Sequence, residues 1–239
     1  MIVTVHQPDF LPWLGFFDRW QESNIYIVLD DVQFLRRGWH HRDKIKTQNG
    51  VQWLTVPVRK KSRYHQTIKE VRINNEENWR HKHLKSIQAA YRKATNFDLV
   101  YGRLSEIYNM DHDLLISFNM NLLRLCSKMF GISTPLVFAS EFNVKSTGSQ
   151  RLVDLVKSVG GKEYLTGTGS RDYLDEVLFN KEGINICWQK FEHPVYKQLH
   201  GSFENMLSAL DFLMMATKAD IGSFKSKDNT NVISTEYIN

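Results

Sequence analysis

The sequence predicts an α/β protein with a mostly parallel, Rossmann-like sheet and flanking helices. Three observations predict it. An apolar, β-branched run at residues 2–5 reads as a buried strand. A second such run, IYIVL at 25–29, follows after one helix-spaced stretch, making a βαβ order within about thirty residues. The alternation of strands and helices then continues to the far end of the chain.

Taken in order, Leu14, Phe17 and Trp20 recur at helical spacing, so 14–22 reads as a helix that Ser23-Asn24 closes. Residues 53–58 are the next strand. Trp79, Leu84, Ile87 and Tyr91 mark a helix from Asn78. One long helix is expected over 104–129, its apolar side formed by residues such as Leu114, Phe118, Leu122 and Leu125. Residues 136–139 form a short strand. A helix at 150–159 ends in Gly160-Gly161, since glycine suits a left-handed C-terminal position. Strands at 164–166 and 184–188 flank a helix-like stretch at 173–179, and 203–216 reads as a final helix. One α/β domain over 1–225 is expected, with about 40–135 an insertion or lobe and 226–239 a polar tail.

Composition narrows the classes. Of 239 residues, 42% are hydrophobic and 24% charged, which excludes disordered, collagen-like and coiled-coil readings. The +5 net charge is too small to argue for nucleic acid, which is not expected as a partner. Cys126 falls in the apolar phase of a helix and Cys187 between Ile186 and Trp188 in a strand. Both read as structural, with no zinc spacing, so a reducing compartment is expected and no metal. His81 and His83, two apart, read as surface residues rather than ligands. The start lacks a basic signal-peptide region and no window approaches a bilayer span, so a cytoplasmic protein without membrane insertion is expected.

The residues that suggest chemistry stand at strand ends, where open α/β sheets bind ligands. His6 and Gln7 interrupt the first apolar run. A histidine there serves as acid or base and a glutamine orients a polar substrate. Asp30 and Asp31 end the second strand, with Gln33 beyond. Adjacent strand residues point to opposite faces, so at most one of the two carboxylates faces a site shared with His6, as a general base, a partner for a hydroxyl or an oxygen ligand for magnesium. Trp39, His41, Arg42 and Lys44 fall in a basic segment, and the alternation of Arg42, Lys44 and Lys46 aims them to one side of an extended segment, suited to phosphate. Ser170 and Arg171 follow a two-glycine turn that offers phosphate oxygens close backbone approach but lacks the Gly-Lys-Ser/Thr ending of a Walker loop. His193, Tyr196 and Gln198 follow another strand end and read as substrate contacts. Together these point to a phosphate-bearing small substrate.

The segments HQPDFLPWLGFF (6–17), LDDVQFLRRGWHHRDKIKT (29–47), WLTVPV (53–58), YLTGTGSRDYL (164–174) and HPVYKQLHGSFENMLSALDFL (193–213) resemble the WbqC-like family. His41 stands where that family's W-x-N-R pattern has asparagine. The resemblance implies a role in O-antigen or related surface-polysaccharide biosynthesis. Its implied activity is transfer of glycine or another acyl group to the amine of a nucleotide-linked amino sugar. The strand–HQP–helix–strand order, with SRDYL much later, is also similar to pantothenate synthetase and other nucleotidylyltransferase-like enzymes. That similarity implies amide formation with the carboxylate activated by ATP and magnesium or supplied on a carrier, although the H-x-G-H pattern is absent. On this reading His6 or Asp30 takes the amine proton, while Arg42, Lys44, Ser170 and Arg171 hold phosphates. A sugar-nucleotide-binding scaffold and a charged-tRNA-dependent transferase are the competing expectations. The cofactor is left unassigned and a homodimer left open.

Overall fold

The computed structural model describes residues 1–61, 63–225 and 232–234, with residues 223, 225 and 232–234 described by backbone alone. The chain opens with β1 (Ile2–His6), α1 (Leu14–Glu22) and β2 (Ile25–Val28). A hairpin of β3 (Arg42–Thr47) and β4 (Gly50–Thr55) follows, then α2 (Trp79–Tyr91), α3 (Phe97–Asn109) and α4 (Leu115–Phe130). Only then does the chain return to the sheet with β5 (Leu136–Phe138). Next come α5 (Gly148–Ser158), β6 (Glu163–Thr166), α6 (Glu176–Lys181) and β7 (Asn185–Gln189). The last elements are α7 (Ala209–Met215), α8 (Lys218–Lys225) and β8 (Val232–Ser234).

Among the described residues, the main sheet runs β5–β2–β1–β6–β7–β8, with the first five strands parallel and β8 antiparallel to β7. The sheet grows to one side of β1 through β2 and β5, then to the other through β6 and β7. The growth direction therefore reverses between β1 and β6, which makes their C-terminal ends the switch point at which such sheets bind ligands. Strand alternation sends Val3, Val5 and Ile27 to a core under α5 and α6. Tyr26 and Val28 join the larger core shared with α1, α4 and α7. Both faces are thus covered, as a parallel sheet requires.

Several elements differ from the sequence expectation, each for a local reason. The long helix expected over 104–129 is two helices. Residues 110–114 leave helical geometry to pair with the chain at 71–73, through Ile73 N–H to the Asp113 carbonyl (2.8 Å) and Leu115 N–H to the Val71 carbonyl (2.9 Å). The strand expected at 53–58 begins earlier and ends before Pro57, which has no N–H for a ladder. The expected helix at 203–216 is confined to α7. His200, Gly201 and Met206 adopt positive φ, and the Ser208 side chain caps the helix by accepting from Leu210 N–H. The helix-like stretch at 173–179 begins only at Glu176, capped by Asp175. His83 is buried rather than exposed, bonded through its two ring nitrogens to Tyr108 and the Thr55 carbonyl. Of the expected polar tail, 232–234 form β8, and 226–231 and 235–239 lie outside the described residues. No helix among the described residues is long and apolar enough to cross a membrane.

Candidate functional site

The end of β1 divides two cavities. One, of about 740 Å³, lies at the switch point and is lined by Arg19, Thr166, Gly167, Ser170 and Gln189. The other, of about 720 Å³, lies between the loop after β1 and the β3–β4 hairpin and is lined by Asp9, Trp39, His40, Asp43 and Lys44. His6, Gln7, Trp13 and Met206 line both. Each has the volume of an ordinary small-molecule site. Met206 lies on this shared boundary in the left-handed region (φ 55°), which a side-chain-bearing residue adopts at an energetic cost.

His6 is set for base chemistry. Its Nδ1 lies 3.0 Å from the Gln7 carbonyl, which can only accept, so Nδ1 carries the hydrogen and Nε2 keeps the lone pair. The ring stands edge-on to Phe16, with centroids 5.2 Å apart. Burial lowers the His6 pKa below its ordinary value, more than the nearby Asp9 carboxylate (3.8 Å) raises it. The ring is therefore neutral at pH 7.

Asp9 is also bonded to His40, through Oδ1 to Nδ1 at 2.9 Å. This pairing joins residues thirty-one apart, and it depends on how the two loops are held. Asn119 of α4 donates its amide hydrogens to the Pro8 and His40 carbonyls, both at 2.7 Å. Phe10 N–H reaches the Trp39 carbonyl at 3.1 Å. Between the Phe10 tie and the bond from Ala209 N–H to the Pro12 carbonyl (2.9 Å), Leu11 is forced to φ 43°. Backbone strain of this kind persists where the surroundings over-determine it.

Asp43 completes the arrangement as an acid. Burial, with help from the Asp9 charge, raises its pKa to about 8 against the opposing Lys44 N–H bond at 2.6 Å and the Lys44 charge. At neutral pH this carboxyl holds its proton and can donate it. The folded state retains a proton that the unfolded chain loses near the ordinary value of 3.8. The folded form is accordingly favoured at low pH, and this contribution is lost as pH rises from 3.8 to about 8. Urea unfolding followed across that interval should show the loss in the wild type. Asp43→Asn should flatten it, and an unchanged slope would place the titration elsewhere.

The residues singled out from sequence divide between site and scaffold. Gln7 lines both cavities with His6, Ser170 lines the first, and Trp39 and Lys44 line the second. The Lys44 ammonium lies 5.7 Å from the centre of the Trp39 ring and 5.9 Å from that of Trp53. The others line neither cavity. Asp30 accepts from the Ser140 backbone N–H (3.0 Å) and hydroxyl (2.6 Å) on the far side of β2, which leaves it poorly placed as a base. Asp31 forms a two-oxygen ion pair with Arg151 at 2.6 and 2.7 Å. Gln33 is exposed and donates to the Tyr64 carbonyl. His41 is buried against Phe34, and desolvation, aided by Lys60 and Arg42, lowers its pKa to about 4. The guanidinium of Arg42 lies over Trp53 (4.7 Å) and that of Arg171 over Trp188 (5.0 Å). His193 stacks near-parallel with Tyr196, whose hydroxyl donates to the buried Asp211 at 2.7 Å. Gln198 donates to the Tyr196 hydroxyl and accepts from Lys46, fastening residues 190–208 onto β3.

Sequence reasoning missed Asp9, Arg19, His40, Asp43 and Gln189. Asp9 lies two residues after Gln7 and His40 lies between Trp39 and His41, and both fall inside polar interruptions of apolar patterns. Arg19 carries a fainter signal, a charged residue in an aromatic-rich helix whose faces are nearly all buried.

The model of the WbqC-like protein family matches residues 7–222. Over 213 residues the chain is 34% identical to the uncharacterized protein Rv1507c of Mycobacterium tuberculosis, a match covering 88% of this chain and 92% of that protein. No solved structure matches.

Proposed function

Because the chain belongs to the WbqC-like protein family, we propose that it forms an amide on the amino group of a nucleotide-linked amino sugar for O-antigen or surface-polysaccharide biosynthesis. It acts as an N-acyltransferase or amide-forming ligase, with glycyl or another aminoacyl unit as the group transferred. The observation that carries this reading is the position of His6, whose lone-pair nitrogen belongs to a ring bordering two cavities of substrate size.

Amide formation needs an amine and an activated acyl carbon brought together beside a base. The amine attacks the acyl carbon, a C–N bond forms, and the bond to the leaving group breaks. His6 Nε2 takes the proton that the nitrogen sheds. Asp43, protonated at neutral pH, supplies a proton to the departing group and is recharged from His6 through solvent. Asp9 and His40 hold the loop in place beside these groups. The cations Lys44 and Arg19, one in each cavity, suit anionic parts of the two substrates.

Incubating the protein with a UDP- or dTDP-linked amino sugar, glycine and ATP, or with a carrier-bound glycyl donor, should yield a sugar nucleotide heavier by one glycyl unit by mass spectrometry. If no donor modifies any amino sugar nucleotide, the reading fails.

A further inference from the structure

The switch-point cavity contains a buried cation that no carboxylate among the described residues contacts directly. Arg19 is 7% exposed, and its Nη1 donates to Gln189 Oε1 at 2.6 Å. The Gln189 amide is fixed from its other end, since Nε2 donates to the Gly15 carbonyl (2.9 Å) and to Asp18 Oδ2 (2.5 Å). Its oxygen is thereby the end turned to Arg19. Among the described residues no carboxylate forms an ion pair with the guanidinium. Burial lowers the Arg19 pKa, the expected cost of enclosing a charge, and outweighs the nearby Tyr164 and Tyr26 hydroxyls and the more distant Asp9 and Asp18 carboxylates, which favour the cation without touching it.

The wall opposite is built to leave this cation open. A Cβ on Gly167 would stand 3.0 Å from Arg19 Nη1, so glycine keeps the approach clear. The Thr166 and Ser170 hydroxyls lie 3.1 Å apart, and the Tyr173 hydroxyl donates to Ser170 Oγ at 2.9 Å. A guanidinium that served only structure would be paired with a carboxylate, because burying it alone is unfavourable. A guanidinium that receives a ligand must instead keep donors free. Its planar fork matches the oxygens of a carboxylate or a phosphate.

We propose that Arg19, oriented by Gln189 and faced by Gly167 and Ser170, receives a substrate oxyanion, either a phosphate of the nucleotide or the carboxylate of the acyl unit. The assignment of the anion to one of these substrates rests on the transferase reading. The existence of an anion subsite does not.

Isothermal titration of the full chain with inorganic pyrophosphate, UDP and glycine tests it. At least one should bind the wild type, and Arg19→Gln should weaken that binding about tenfold or more, the loss expected for a charge-assisted contact. Arg19→Lys should retain part of the affinity if the anion is a phosphate and little if it is a carboxylate held by two parallel bonds. Gly167→Ala, which crowds the guanidinium without changing charge, should also weaken binding. Without ligand, Arg19→Gln should melt no lower than the wild type, because it removes a buried charge that no carboxylate contacts directly and keeps an amide donor for Gln189. A marked drop in its melting temperature would identify a structural arginine and overturn the proposal. So would unchanged binding in Arg19→Gln, or no binding of any probe by the wild type. Binding is read without turnover, so loss of the transferase reading leaves a positive result standing. A transferase whose Arg19→Gln variant binds these anions normally would refute the subsite alone.

Discussion

Replacing His6 by glutamine is expected to lower turnover by roughly 10²- to 10⁴-fold, the usual contribution of a positioned general base. Apparent substrate affinity should change far less, because the glutamine keeps a polar group of similar reach at the boundary of the two cavities. The pH profile gives the sharper reading. Burial lowers the His6 pKa, so the base form survives to below 6.5 and the acid limb of activity lies under that value. Asp43 must hold its proton, so activity should fall as pH rises through about 8. The wild type therefore shows a bell, and His6→Gln should lose its acid limb while keeping the alkaline one. A variant that retains both limbs would show that the base is another group.

The second large effect concerns stability. Asn119 is fully buried in α4, and its amide joins the loop after β1 to the segment carrying His40. Asn119→Leu keeps the branched shape of the side chain and leaves the Pro8 and His40 carbonyls without that donor. An unsatisfied buried acceptor costs about 1–3 kcal/mol. The amide oxygen itself has no hydrogen-bond partner among the described residues, so its removal offsets part of the loss. A net destabilisation of about 2–4 kcal/mol is expected in urea unfolding. Activity should fall as well, because Asp9 and His40 are no longer held in register. A loss under about 1 kcal/mol with full activity would mean that the loops hold themselves.

The contrast between His6 and Arg19 shows how far the chain alone could be read. The βαβ opening was legible because apolar runs of the right length bracket a helix-spaced stretch, and polar residues that break such a run mark a strand end. His6 and Gln7 follow from that local pattern. Asp9 could not, because its partner His40 is supplied by a loop thirty-one residues on and the contact is set by Asn119 on a third element. Arg19 could not either. Periodicity assigns a charged helical residue to the solvent face, whereas α1 is enclosed by the sheet, α4 and α7. Asp30 and Asp31 show the converse error. Their position at a strand end is real, but Ser140 and Arg151, both more than a hundred residues distant, occupy their oxygens. Long-range pairing also decided the break between α3 and α4, where apolar spacing continues across a segment that the chain at 71–73 pulls into extended form.

The strand order also has a consequence during synthesis. β1 is the middle strand of the parallel sheet, yet it is made before every other strand, and the neighbour on its second side is β6. Thr4 and Leu165, bonded across that seam, are 161 residues apart in the chain. At ordinary translation rates of about 5–20 residues per second, an apolar strand edge waits roughly 8–30 s for its partner. Throughout that interval β1, joined early by β2 on its other side and only late by β5 beyond β2, exposes the groups that will later frame the switch point. The nascent protein is therefore most vulnerable to aggregation at the seam where its finished form has its candidate site, and a chaperone that shields edges would act there first.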